Sequence, residues 1–463
     1  MNKTELSLLT VKDSGGGGTV SLMSLAIPIF LENVGVQLIG IVQSILLAQY
    51  HGGVFVAPVN KALSVLSIYT ILLSMITTGM SILLSIAIGA RRTKDCQGLL
   101  GSSIVFYSVC SVLLGILCIV FAEPFLGAYG ITPADTSYEI AYWYLVGRTV
   151  SLAVFQVRTV LSTALRCYGY TGIGFVCTVV SNAVNVVWLL VGIYLLRVQP
   201  EQGVQLLLGA GAAADAVGFL TLWVAVKRRR LRFSLSLDRG TVKQILHVGF
   251  PASITDIAYT FSVALTTVIT AVLSDDLFNL KIYITNITFF GYAFGTAVAF
   301  ACAILVGRYL GMREIEKLKR MHAMVLRIVL ASNLLFAVVT VFLAEPLLVG
   351  IYGVDRALMT CVVTLFVMDI AVELGRGFNN VYLQGGLVPV GDTIYTTVIS
   401  VINCFLTVGV AALCVLALDM GLYGVWVSFI FSEITKAACF VYRWHKGNWQ
   451  KRALSGEVEQ KKG

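Results

Sequence analysis

Apolar stretches long enough to cross a bilayer recur along the chain, parted by short polar or Gly- and Pro-bearing connections. In the first half they lie at 20–48, 55–88, 99–121, 140–165, 171–196 and 205–226. In the second they lie at 244–273, 282–307, 321–344, 358–387, 393–416 and 421–442. A hydrocarbon core about 30 Å thick needs about 20 helical residues at 1.5 Å rise each, and every stretch meets that length. The pattern predicts an all-α, polytopic membrane protein with about twelve transmembrane helices in two pseudo-symmetric six-helix bundles. The expected layout is a polar cytoplasmic lead (1–18), bundles at 19–226 and 244–444, a basic cytoplasmic linker (227–243) and a cytoplasmic tail (445–463).

Composition narrows the class further. The chain is 58% hydrophobic and 12% charged, with a mean hydropathy of +0.88. Soluble domains carry about 25% charged residues, so no soluble domain is expected beside the spans. The net charge of +9 invites a nucleic-acid partner, but its distribution excludes one. Twenty-four Lys and Arg residues fall in the termini and alternate loops of one side, seven of them in the central connection from Lys227 to Lys243. The other side receives Lys61, Arg197, Lys281 and Arg356. This asymmetry puts both termini in the cytoplasm and supports an even number of spans in an inner or plasma membrane. Residues 1–18 end in Gly15–Gly18 without an apolar core, so a cleaved signal is not expected and the first helix acts as the insertion signal. The cysteines are scattered, several within apolar runs (Cys110, Cys118, Cys302), where a free thiol packs as a small hydrophobe. Neither disulfides nor a metal site built on the distant His51, His247, His322 and His445 is expected.

The chain also repeats itself. Ala122-Glu123-Pro124 recurs as Ala344-Glu345-Pro346, Gly89 as Gly311, and Gly169-Tyr170-Thr171 as Gly391-Asp392-Thr393. Pro28 pairs with Pro251, and Tyr129-Gly130 with Tyr352-Gly353. These landmarks keep one order and a nearly constant shift. Halves with an even number of helices share one orientation, and parallel repeats of that kind place a substrate site between them near mid-bilayer.

With these landmarks in place, the sequence resembles the multidrug and toxic compound extrusion (MATE) transporters over almost its whole length. The resemblance rests on Glu373-Leu374-Gly375-Arg376, Asn379-Asn380 and Gly391-Asp392-Thr393. It also rests on Gly424-Val425-Trp426, Glu433, Arg443-Trp444 and Gly447-Asn448-Trp449 near the end, and on Leu165, Gly169-Tyr170-Thr171, Asn182 and Asn185 earlier. It implies two six-helix bundles, an intervening cavity, and exchange of substrate against sodium ions or protons. One departure stands out. Where many relatives carry an acid in the first helix, this chain has Val42-Gln43-Ser44, and Gln43 cannot titrate.

Charged groups at mid-membrane cost at least about 2.5–3.5 kcal/mol each on insertion scales, so each must face a cavity or a partner. Asp369, Glu373, Arg376, Asn380 and Gln384 follow helical spacing on one face of span ten. They form either a cavity wall whose carboxylates exchange a cation, or a structural stripe with a local Glu373–Arg376 pair. Glu32 in span one is either a proton carrier in place of Gln43 or a hydrogen-bonded core residue. Asp256, shortly after Pro251 and near Tyr259 and Thr260, either helps to hold a cation or accepts amides in a first helical turn. Arg148 and Arg158 in span four are expected to neutralise Glu32, Asp256 or Glu373; otherwise they meet a negatively charged cargo. Asp215 and the Glu433–Lys436 pair read as structural. Tyr259, Tyr292, Phe289 and Phe294 are candidates for stacking a planar cargo, the alternative being ordinary packing.

These features together imply a secondary active transporter that exports small, drug-like organic compounds in exchange for Na+ or H+ by alternating access. The ion-coupling candidates are Glu32, Asp256, Asp369 and Glu373. A monomer is expected, surrounded by lipid and binding a small molecule, with no cofactor beyond the coupling ion. An enzyme is not expected: HExxH, GxSxG and the phosphate-binding GxxxxGK[ST] motif are all missing. Two rivals remain, a lipid-linked-precursor flippase of the same superfamily and a membrane-embedded enzyme. Flippase relatives usually add further helices.

Overall fold

A computed structural model describes residues 7–12, 19–51, 56–199, 202–350, 352–447 and 449–450. Because the apolar runs must satisfy every backbone amide internally, they fold as helices. The first half holds α1 (Leu22–His51), α2 (Val56–Gly89), α3 (Thr93–Val120), the short α4 (Ala122–Ala128), α5 (Tyr138–Phe155), α6 (Arg158–Cys167), α7 (Thr171–Leu190) and α8 (Gly203–Arg228). The second half holds α9 (Arg239–Thr270), α10 (Asp275–Gly311), α11 (Ile315–Leu348), α12 (Met359–Asn379), α13 (Thr393–Ala412) and α14 (Gly421–Lys446). Among the described residues eleven helices are long and apolar enough to cross a membrane, or twelve when α5 and α6, bent by 43° at their break, count as one span. Large apolar side chains such as Val36, Leu195 and Phe342 are exposed on the helices, as surfaces facing lipid require.

The repeat is written into the backbone as well as the sequence. Gly169 and Gly391 both adopt a positive φ (92° and 81°) at the turns before α7 and α13, a conformation open to glycine at little cost. Arg91 and Arg313 enter the same region after α2 and α10, with φ of 58° and 59°. Helices α7 and α13 each end in a π-helical turn, Val191–Leu195 and Leu413–Ala417. Packing repeats too: α5 lies on α8 as α12 lies on α14, and α7 lies on α8 as α13 lies on α14.

The described residues form two compact units. One comprises residues 31–84 and 92–249; the other comprises residues 1–30, 85–91 and 250–463. In the first, α2 and α9 approach so closely that a side-chain carbon on Gly79 would strike the Ile245 backbone, and one on Gly249 the Met75 backbone. Asp238 caps α9, accepting from Thr241 N at 2.8 Å and Thr241 Oγ1 at 2.6 Å. Those two bonds hold its carboxyl below the usual carboxylate range. In the second unit, the apolar core gathers Val362, Leu365, Phe366, Val425 and Trp426.

In the lead, β1 (Thr10–Lys12) pairs antiparallel with β2 (Thr19–Ser21), and Tyr309 Oη donates to the Leu8 carbonyl at 2.9 Å. Two expectations need correction. Lys281 and Arg308, counted above as loop cations, lie inside α10 and are buried. Asp256 lies far from the first turn of its helix, because α9 starts at Arg239 and runs through Pro251. Gly15–Gly18, Asn448 and the tail from 451 onward lie outside the described residues.

Candidate functional site

Helix α12 and the π-helical turn that extends it, Asn380–Leu387, carry the polar stripe anticipated from the sequence. It does not line one cavity. Asp369 and Glu373, both buried, border a cavity of about 380 Å³ with Asn286, Phe290, Phe336 and Tyr352. Arg376, Asn380 and Gln384 border a second cavity of about 370 Å³, with Asp256, Tyr259 and Tyr292. The pair between Arg376 Nη1 and Glu373 Oε1, at 2.6 Å, ties the two groups together. The local i,i+3 salt bridge is therefore real, and the residues around it also line cavities.

Each carboxylate has a different environment. Asp369 accepts from Trp426 Nε1 at 3.2 Å, and its Oδ2 has no hydrogen-bond partner. Beyond Arg376, Glu373 is held by Asn333, whose Nδ2 donates to the Glu373 carbonyl at 2.9 Å. Asp256 is met by Gln384 Nε2 at 3.1 Å, a neutral donor from the far end of the stripe.

Sequence reasoning missed part of this lining. Glu433 and Lys436, read above as structural, are paired at 2.9 Å and border the 370 Å³ cavity. Asn379 Nδ2 donates to Glu433 Oε2 at 2.5 Å, and Asn403 Nδ2 donates to Ser432 Oγ at 2.6 Å. A charge inside an apolar span is a functional candidate by default, and that signal was present at Glu433. The aromatic candidates divide. Tyr259 and Tyr292 line the cavity, but their rings already lie under fixed cations, Lys436 at 5.5 Å and Arg376 at 5.5 Å. Phe294 instead packs with Phe30 and Phe336, and Phe289 with Phe290. Neither phenylalanine borders this cavity.

In the first-half unit, Glu32 Oε1 meets Arg166 Nη2 at 2.6 Å, a partner from the end of α6. Gln43 Nε2 donates to Asn185 Oδ1 at 2.6 Å, and Asn182 Nδ2 donates to the Gly35 carbonyl at 3.0 Å. The asparagines of α7 thus clasp α1. Arg148 and Arg158 do not neutralise Glu32, Asp256 or Glu373. Both converge on Asp215 of α8, Arg158 Nη2 at 3.1 Å and Arg148 in direct contact. Asp215 was within reach because α8 packs directly on α5 and α6, a tertiary fact that span-by-span reading does not contain. Among the described residues no cluster of three or more His, Cys, Asp or Glu could hold a metal ion.

Apolar spans laid out twice, with carboxylates, amides and tyrosines facing cavities among them, define a multi-pass membrane transporter. The chain belongs to the MATE family of transporters: the family's sequence model, described as MatE, matches it twice, over residues 28–191 and 251–413. The two matches open at the paired prolines Pro28 and Pro251. The chain is 27% identical over 448 residues to the "Uncharacterized transporter YisQ" of Bacillus subtilis (strain 168), covering 94% of this chain and 96% of that one. It is 25% identical over 461 residues to the "Probable multidrug resistance protein NorM" of Thermotoga maritima, covering 94% and 93%. A crystal structure of MATE in the bent conformation superposes with a TM-score of 0.83, at 19% identity, over 98% of this chain and 100% of that chain. At that identity the superposition speaks for the fold alone.

Proposed function

We propose that this transporter exports small organic, drug-like compounds in exchange for Na+ or H+. On this reading it is a secondary active, alternating-access carrier working as a monomer in the cell membrane. Both termini are cytoplasmic, and it needs no cofactor beyond the coupling ion. The resemblance to a probable multidrug resistance protein along almost the full length supports export of this kind.

The observation that carries the reading is the position of Asp256. Two carboxylates line the 370 Å³ cavity: Glu433 is paired with Lys436, whereas Asp256 meets the neutral amide of Gln384. Outside that lining, Glu373 is paired with Arg376 and Glu32 with Arg166. Loading a cation or proton on Asp256 therefore removes a charge that no fixed cation balances, and releasing it restores that charge. Such a change biases one conformation against another only through differential affinity, which an unpaired carboxylate supplies most directly. Asp369, buried against Trp426 with one oxygen unpartnered, is the second candidate for the same role.

The test uses purified protein in liposomes with sodium and proton gradients imposed separately and ethidium as the reporter cargo. Asp256→Asn should cut gradient-driven ethidium movement at least about tenfold, a change of about 1.4 kcal/mol in the coupling step, while the protein elutes as a folded species. Full gradient-driven transport by Asp256→Asn would remove Asp256 from the coupling. A flippase of lipid-linked precursors is not favoured, since the relatives matched end to end include one described as a "Probable multidrug resistance protein".

A further inference from the structure

The first-half unit contains a charge cluster that the coupling reading leaves unused. Span four breaks between Phe155 and Arg158 by 43°, without a proline or glycine at the break. Arg148 lies in α5 before it and Arg158 opens α6 after it. Both guanidiniums are bound to the same carboxylate, that of Asp215, with Ser151 Oγ adding a third donor at 3.0 Å. Asp215 is almost fully buried and both its oxygens are engaged, whereas the arginine side chains keep 18% and 28% of their surface open. Two permanent cations therefore share one anion.

The local backbone is shaped for these arginines. A side-chain carbon on Gly211 would lie 3.0 Å from Arg148 Nη1, so the bare helix face of α8 accommodates the guanidinium. One on Gly218 would lie 2.7 Å from Arg158 Nη1 and 2.6 Å from Ser181 Oγ. Ser181 is buried, with its hydroxyl beside the Cys177 thiol one turn earlier on the same helix. A guanidinium nitrogen and a buried hydroxyl thus lie over the same glycine. Two guanidiniums sharing one carboxylate leave surplus positive charge at a broken span, a setting that fits an anion; broken spans in transporters carry substrate-binding groups.

We propose that Arg148, Arg158 and Ser181 form an anion subsite, and that it receives the carboxylate or phosphonate group of an organic cargo. Asp215 acts there as a resident counter-anion that holds the two arginines together until the ligand arrives. This inference rests on the transport reading, and it extends the drug-like cargo to compounds bearing a negative group.

The experiment measures binding rather than movement. Purified full-length protein in neutral detergent is titrated with benzoate, phenylphosphonate and, as a cationic control, tetraphenylphosphonium, with thermal unfolding as readout. Saturable stabilisation by the two anions is expected. Arg158→Gln should weaken it at least tenfold and Ser181→Ala severalfold, whereas Asp215→Asn should strengthen it because the competing carboxylate is gone. A purely structural cluster would instead lose stability on Asp215→Asn without any gain in anion affinity. Ser181→Ala leaves both ion pairs in place, so it keeps the test decisive where a charge variant fails to fold. No stabilisation by either anion, or unchanged affinity in both Arg158→Gln and Ser181→Ala, would overturn the proposal. Stabilisation by phosphatidylglycerol nanodiscs but by neither soluble anion would assign the site to a lipid headgroup, and the cargo role would fall. Protein that binds the anions through Arg158 yet moves no compound in liposomes would refute the transport reading and leave the subsite standing.

Discussion

The Glu373–Arg376 pair shows what a salt bridge inside a helical bundle does and does not contribute. Glu373 is 3% exposed and Arg376 17%, and the contact is 2.6 Å. Removing one partner of such a pair leaves a buried charge unmatched and costs about 3–5 kcal/mol, whereas replacing both by apolar residues is often neutral. Glu373→Met and Arg376→Met should therefore each lower the unfolding midpoint in detergent sharply, and the double variant should recover most of the loss. If the double variant is no better than the singles, the pair is not the local, self-contained unit its spacing suggests. A double variant that also retains gradient-driven transport would confine Glu373 to structure and leave Asp256 and Asp369 as carriers. The i,i+3 spacing of this pair was legible in the sequence, because both residues share one turn of one helix. Its surroundings were not. Asn333 reaches Glu373 from α11 and Trp426 reaches Asp369 from α14, and no spacing along α12 encodes a neighbour on another helix. For the same reason Arg148 and Arg158 were assigned to the wrong carboxylates.

At the scale of elements, the spans and their repetition were legible because both follow from local requirements. Apolar length fixes the spans, and one pair of equivalent turns carries glycine at a positive φ. Gly169 and Gly391 occupy equivalent turns with φ of 92° and 81°, where a side chain costs about 1–2 kcal/mol. Gly169→Ala and Gly391→Ala should thus lower the unfolding midpoint by similar amounts. Gly172→Ala, where a side-chain carbon would meet open space, should not lower it. Unequal losses at the two turns would argue against equivalent roles in the two halves. The break in span four was hidden, since Phe155-Gln156-Val157-Arg158 contains no helix breaker and the apolar run continues through it. The π-helical turns were hidden as well. That after α12 changes the phase of the stripe from Asn380 onward, and Asn380 and Gln384 border, with Arg376, a different cavity from Asp369 and Glu373. A constant helical period cannot anticipate such a shift.

For the whole molecule, duplication has preserved the scaffold while the charge chemistry of its halves has diverged. In the first half Arg148 of α5 and Arg158 of α6 meet one aspartate of α8, whereas in the second the equivalent packing of α12 on α14 sets a tryptophan on an aspartate. On the proposed reading the second half supplies the setting for ion coupling, and the charged groups of its cavity bear on the choice of ion. Arg376 and Lys436 both border the cavity that holds Asp256. A sodium ion bound there would need several oxygen ligands, yet Glu433 is already engaged by Lys436, as Glu373 is by Arg376, which leaves Asp256 as the one carboxylate of the lining without a cation partner. A proton needs a single carboxylate oxygen, and the charge it brings is cancelled on that oxygen. Gradient-driven transport should accordingly respond to an imposed pH difference at fixed sodium, and a sodium gradient at equal pH on both sides should leave it near the ungraded rate. Replacing Lys436 by Gln should weaken the discrimination by admitting a metal cation more readily, raising any sodium-driven component. Sodium-driven transport in the unaltered protein, with no response to pH, would mean that Asp256 works within an oxygen ligand set reached in another conformation, and that the fixed cations turn away from it there.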